Sequence, residues 1–268
     1  FSRTYFDKFN NSILFGSTAS KFWLSFYPGK SDIAQGHIPE MLSVFSQQCK
    51  EKMLDNGFSE NQLTVWPAFR YKKIIEQESI TPFLDEKLPC EKNELRILIS
   101  LNISIEPSLE LMTKMALASQ GVSNLVFRIR FHPCMGPPEP VLDSLKTICG
   151  WDTLPQNTVV STGRSLEEDL QWADVVALKG SGVEVEAAIM GCHTIFVRSD
   201  CNIDINYMSF DEHNAVVCTI PEIREELIRL NTNKETVIKE PWTQAKRNHY
   251  FEPLSNEAFS NVHTVFDS

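Results

Sequence analysis

The sequence predicts an α/β fold: a parallel sheet with helices on both faces. Three observations lead there. Apolar strand-like runs alternate with helix-spaced segments from residue 95 onward, the intervening helices are short, and serine- or glycine-bearing turns follow the strand ends. With 268 residues, 42% hydrophobic and 22% charged, the chain can bury one large core or two modest ones.

Residues 1–75 read as part or all of an amino-terminal α/β domain. Within them VFSQQCKEKMLDNGFSENQLTVWPAFRY gives a helix, a glycine stop, a turn and a strand. The charged, proline-bearing stretch EQESITPFLDEKLPCEKNE marks residues 76–94 as a linker. Beyond it RILISLNIS is an apolar strand and PSLELMTKMALASQG a helix with a glycine stop. LVFRIRFHP is a second strand, and PEPVLDSLKTIC a helix opened by prolines where the first turn tolerates them. TVVSTG follows as a strand, then SLEEDLQWA as a serine-capped helix with an acidic first turn. DVVALKG, a helix beginning in KGSGVEVEAAIMG, TIFVRS, AVVCTI and IPEIREELIRL complete a Rossmann-like domain over residues 95–240, and residues 241–268 form terminal helices.

Charge and cysteine usage narrow the function. A formal net charge of −10 argues against nonspecific nucleic-acid binding, which needs a basic face, and RYKK at 70–73 is the densest basic cluster. Seven cysteines without paired spacing suggest reduced thiols and no zinc site, and no metal is expected. No apolar run approaches the ~20 residues of a spanning helix, so no membrane span is expected, and the reduced thiols suggest a cytoplasmic location with peripheral contact at the inner membrane face allowed. Phe1 opens the chain and FSRTYFDKF lacks a signal-peptide core, which suggests a piece of a longer protein with further modules.

In open parallel sheets, ligands bind past the carboxyl ends of strands. Three stretches fall there. In RFHP, Arg130 and Pro133 flank a strand end at which His132 can donate to a phosphate oxygen. In STGRS, Ser161, Thr162 and Ser165 can bind phosphate or cap the following helix. In KGSGVEVEAAIMG, Gly180, Ser181 and Gly182 let backbone amides approach an anion at a helix start. Glu184 stands at capping-box spacing from Ser181, which assigns it a structural cap, while Glu186 can reach a ribose diol. A Walker A loop is absent because no GKS or GKT follows, and GxGxxG is missing, which disfavours a dinucleotide.

The HP pair, the SxEEDL helix leading to Ala-Asp, and GSG…EAAxxG before TIFVRS together resemble the carboxyl-terminal domain of GT-B glycosyltransferases of bacterial surface-polysaccharide biosynthesis. The nearest flavours are the Kdo and sialic-acid transferases with cytidine-activated donors and the teichoic-acid glycerophosphotransferases. AQGHIPE at 34–40 and the closing PWTQAKRNHYFEPLSNEAFSNVHTVF extend the likeness over residues 31–266. The resemblance implies donor contacts by Arg130, His132, Pro133, Gly180, Ser181 and Glu186. It further implies His37 as general base, although the order here is Gly-His and not His-Gly.

The resulting expectation is a metal-independent glycosyltransferase without cofactor. It would move a sugar, by preference a CMP-linked acidic one, from a nucleotide-sugar donor to a glycan or lipid-linked glycan acceptor. The alternatives are a CDP-glycerol glycerophosphotransferase, a nucleotide-sugar 2-epimerase and a non-catalytic nucleotide-binding module of a larger enzyme.

Overall fold

The computed structural model describes residues 15–17, 31, 34, 35, 41–55, 57–68, 71–75, 94–200, 212–233 and 239–251. The chain divides into two compact units, residues 1–77 with 242–268, and residues 78–241.

The first unit holds a three-stranded parallel sheet of β1 (Phe15–Ser17), β2 (Met41–Val44) and β3 (Leu63–Val65), in that spatial order. Helix α1 (Gln47–Asp55) lies between β2 and β3 in sequence, and its Cys49 and Met53 bury against Leu42, Val44, Phe58 and Leu63. Two short helices, α2 (Lys72–Ile75) and, near the end of the chain, α8 (Gln244–Tyr250), are tied by one side chain. The buried guanidinium of Arg247 donates to the carbonyls of Trp242 at 2.9 Å and Ile75 at 2.8 Å. Carbonyls at a helix end have no partner within the helix, so this contact satisfies a group that burial would otherwise penalise. Ring packing of Tyr71 on Phe251, with centroids 5.2 Å apart, completes the contact.

The second unit is a six-stranded, wholly parallel sheet. Its strands are β4 (Leu95–Ser100), β5 (Leu125–Arg130), β6 (Thr158–Val160), β7 (Val175–Leu178), β8 (His193–Val197) and β9 (Asn214–Val217). They lie in the order β6-β5-β4-β7-β8-β9. Helices α3 (Ile105–Ser119), α4 (Glu139–Cys149), α5 (Leu166–Trp172), α6 (Val183–Ile189) and α7 (Ile220–Thr232) follow β4, β5, β6, β7 and β9 respectively. The strands are apolar almost throughout because both faces are covered. Leu95, Ile97 and Ile99 of β4 join Leu111, Met115, Leu145 and Leu227 of α3, α4 and α7 in one core. The alternate residues of the same strands, such as Leu98 and Val176, are buried on the other side of the pleat.

Polar contacts set the amino-terminal edge of this sheet. Arg96 at the start of β4 forms a forked pair with Asp174 ahead of β7, at 3.0 and 2.5 Å, so these two strands enter the sheet in register. Lys239 donates to the Gln171 carbonyl in the last turn of α5 at 3.1 Å and to that of Ala173 just past it at 3.0 Å. Gly191, at φ +77°, closes α6 where the backbone of Glu240 passes so near that a Cβ would stand 2.3 Å from its carbonyl carbon.

That contact gives a paired expectation. Gly191→Ala is expected to lose about 2–4 kcal/mol of unfolding free energy in urea titrations, from left-handed strain plus backbone overlap. Gly163→Ala, at φ +69° but with open space around it, is expected to lose only about 1–2 kcal/mol. Equal losses would contradict the close approach.

Candidate functional site

Strand order reverses beside β4. The connection leaving β4 runs to β5 on one side, while β7 pairs with β4 on the other. Loops leaving β4 and β7 therefore diverge and open a crevice at their carboxyl ends, the place where open α/β sheets bind ligands.

Asn102 follows β4 in this crevice. Its amide nitrogen donates toward the carbonyls of Lys179 and Gly180 at 3.3 and 3.5 Å, while its Oδ1 accepts from the N–H of Ser104 at 3.4 Å. Its own carbonyl accepts from the Ser108 hydroxyl of α3 at 3.1 Å. One side chain thus joins the start of α3 to the glycine turn after β7.

Lys179 anchors that turn from below. Its ammonium is buried at 4% exposure and pairs with Glu110 of α3. Glu110 also accepts from the Ser199 hydroxyl at 3.0 Å and the Asp200 N–H at 3.1 Å, and it pairs with Lys114 at 2.9 Å. Lys114 in turn reaches the carbonyls of Arg198 and Cys218 and the carboxylate of Asp200. The exits of β7, β8 and β9 are so fastened to one helix. Burial pushes the Glu110 carboxyl up, but the hydrogen bonds from Lys179, Lys114, Asp200 and Ser199 outweigh it and hold the group down at about 2.

The turn itself is compact. Gly180 sits at φ +58°, in the left-handed region that glycine enters without strain. The N-cap of α6 is Gly182, not Ser181, and the Ser181 hydroxyl accepts from the N–H of Val183 at 3.4 Å. Among the described residues the N–H groups of Ser181 and Gly182 have no hydrogen-bond acceptor. Glu184 does not cap the helix as its spacing predicts. With the cap one residue later than the sequence implies, its carboxylate lies fully buried and accepts from the side-chain amide of Asn214 on β9 at 3.2 Å. Glu186 is half-buried on the same helix.

His132 stands past the end of β5, on the other flank of β4. Its Nδ1 accepts from the N–H of Cys134 at 3.1 Å, which places the imidazole proton of the neutral ring on Nε2 as a donor. The ends of β5 and β7 are two inter-strand spacings apart, about 10 Å. Pro133 is exposed in the same turn.

The remaining expected contacts turn toward α5. Asp169 is fully buried and receives Arg128 at 3.0 Å on one oxygen, with Arg130 at 2.7 Å and the Ser161 hydroxyl at 2.6 Å on the other. Arg130 also donates to the carbonyl of Arg164 at 3.1 Å. Ser165 caps α5 and exchanges hydrogen bonds with Glu168 in a capping box. The structure therefore brings His132 and the Gly180–Gly182 turn to strand ends flanking β4, and it gives Arg130, Ser161 and Ser165 partners within the domain. His37 lies outside the described residues.

Asn102, Glu110, Lys114 and Asp169 are absent from the sequence-based candidates. Only Asn102 carried a usable signal, its place just past an apolar strand run.

Comparison with known proteins bears on the fold. No protein-family model matches the chain, and no curated protein matches it at a significant level. Solved structures do. A Listeria monocytogenes protein assigned as a UDP-N-acetylglucosamine 2-epimerase superposes with a TM-score of 0.59 at 15% identity, covering 91% of this chain and 66% of its own. S. aureus MnaA, in a co-structure with UDP, gives 0.59 at 11% identity, covering 98% and 68%. TarM gives 0.54 at 13% identity, covering 96% and 50%.

The chain has a GT-B-type fold. It spans about two thirds of the length of the first two of these proteins and half of the third. Among the described residues no helix is long and apolar enough to cross a membrane.

Two outcomes test the site's framework. Asp169→Ala leaves two guanidinium groups without their shared carboxylate and is expected to lose about 3–5 kcal/mol by chemical denaturation, whereas Ser161→Ala loses about 1 kcal/mol. Glu110 supplies stability that is fully present above its ordinary value of 4.5 and is lost as pH falls through about 2. Unfolding free energy is expected to drop by up to about 3 kcal/mol across that window, and Glu110→Gln to flatten the drop.

Proposed function

We propose that this chain carries the nucleotide-sugar site of a UDP-sugar enzyme, and that its reaction is the 2-epimerisation of a UDP-N-acetylhexosamine. The observation that carries the reading is the glycine turn at the point of strand reversal, held by Asn102 and Lys179, with the amides of Ser181 and Gly182 available to an anion. Backbone amides at a helix start favour a diphosphate, and the Nε2–H of His132 is a further donor to it. The S. aureus neighbour holds UDP and the Listeria neighbour is assigned as an epimerase, which favours uridine over the cytidine donor expected from the sequence. Glu186 is the candidate for the ribose diol, and His37 the candidate base should the reaction be transfer to an acceptor.

A second reading, transfer of the sugar to a surface glycan, is supported by the likeness to the glycosyltransferase TarM. The two differ in what they need. Epimerisation proceeds on the nucleotide sugar alone, whereas transfer requires an acceptor.

Calorimetry on the full-length protein with UDP, CDP and CMP, followed by NMR of UDP-N-acetylglucosamine incubated without acceptor, separates them. The expected result is preferential UDP binding and slow appearance of the 2-epimer. Substrate unchanged until a glycan acceptor is added would replace epimerisation by transfer, and no affinity for any of the three nucleotides would overturn both. His132→Ala is expected to weaken UDP about 10- to 100-fold, the range for one hydrogen bond to a charged group, with the melting temperature unchanged.

A further inference from the structure

A cavity of about 250 Å³ lies within the second unit, between the sheet and helices α3 and α4. Its floor is Ile99, Phe127 and Ile129 of β4 and β5, and its walls are Met112 and Ala116 of α3 with Leu145 of α4. None of these residues belongs to the nucleotide site. The mouth is formed by Ser119 and Gln120 at the carboxyl end of α3, and by Trp151, Pro155, Asn157 and Thr158 on the approach to β6. These segments lie at the amino-terminal edge of the strands, opposite the exits of β4 and β7.

We propose that this cavity is a binding site for a small, neutral, aromatic ligand bearing one N–H or O–H donor. Size sets the first limit. An engineered cavity of ~150 Å³ accepts benzene, so this one accommodates about ten non-hydrogen atoms, fewer than a drug-sized ligand. Charge sets the second. No ionisable side chain lines the space, and an ion buried there would have no counter-charge. The aromatic preference follows from the Phe127 and Trp151 rings and the Met112 thioether, which favour ring contacts. The donor preference follows from Asn157. One N–H of its side-chain amide donates to the Leu125 carbonyl at 2.9 Å, while its Oδ1, at the mouth, receives only a long 3.4 Å contact from Thr158 and retains acceptor capacity. Helix α3 forms one wall and its Ser108 hydroxyl donates to the Asn102 carbonyl at 3.1 Å, so the cavity and the nucleotide site share that helix without sharing a lining residue.

Indole and 5-fluoroindole are suitable probes, with fluorine NMR of the full chain as readout. The expected result is saturable binding of 5-fluoroindole that excess indole displaces and UDP does not. Ala116→Met, which fills the space, is expected to raise the melting temperature and weaken the probe at least tenfold. A second measurement needs no variant: indole-3-carboxylate should bind the unaltered protein at least tenfold more weakly than indole. The proposal is overturned by absence of saturable binding up to millimolar probe, by equal affinity for the carboxylate, by displacement with UDP, or by unchanged affinity in a folded Ala116→Met protein. UDP binding is read separately, so failure here leaves the proposed function untouched.

Discussion

Everything at the candidate site depends on where the strand order turns back. In a parallel sheet the chain leaves each strand at the carboxyl edge and must cross back over one face to start the next. With β5 on one side of β4 and β7 on the other, the two returning connections part at the carboxyl edge and leave a notch that no local sequence choice could create. Asn102 reaches across that notch to the backbone after β7, and the buried Lys179–Glu110 pair fixes the same backbone to α3. An isolated buried ion pair contributes little net stability, since desolvation offsets most of the attraction. Here the carboxylate receives two ammonium groups, a hydroxyl and an amide, which makes the pair a positional device: it sets where the glycine turn lies.

The polar residues near the sheet's carboxyl edge divide by face. On the α5 side, Asp169 gathers Arg128, Arg130 and Ser161 into a buried cluster, with the Arg128 guanidinium 4.0 Å from the centre of the Trp172 ring. Groups so engaged would have to break good hydrogen bonds before meeting a ligand. On the edge itself, the amides of Ser181 and Gly182 and the Nε2–H of His132 carry no such engagement within the described residues. Under the proposed function, anion recognition would therefore rest on backbone and imidazole donors more than on the arginine beside the HP pair.

Much of the second unit was legible in the sequence because parallel strands buried on both faces appear as unbroken apolar runs. RILIS, LVFRIR and DVVAL each coincide with a central strand, and the serine cap of SLEEDLQW and the glycine after α3 were readable too. The failures have physical causes. Arg130 and Asp169 are 39 residues apart, and only the alternation of β5 and the placement of α5 bring them together. Glu184 misled because capping-box spacing presumes which residue is the cap, and the turn moved that cap to Gly182. Asn102 gains its meaning from a neighbour 77 residues away, which only sheet order can specify. In the first unit, β1 is three residues long and carries no periodicity to detect.

The GT-B-type fold hosts more than one chemistry, so fold similarity leaves the reaction to the site. The proposed function places the diphosphate of a uridine nucleotide at the carboxyl edge of β4 and β7. Hydrogen–deuterium exchange of the full-length protein with and without UDP tests this directly. Slowed exchange is expected to concentrate at residues 101–105, 132–135 and 179–186, with the amino-terminal edge of the sheet unchanged. Protection confined to other segments, or none at saturating UDP, would contradict it.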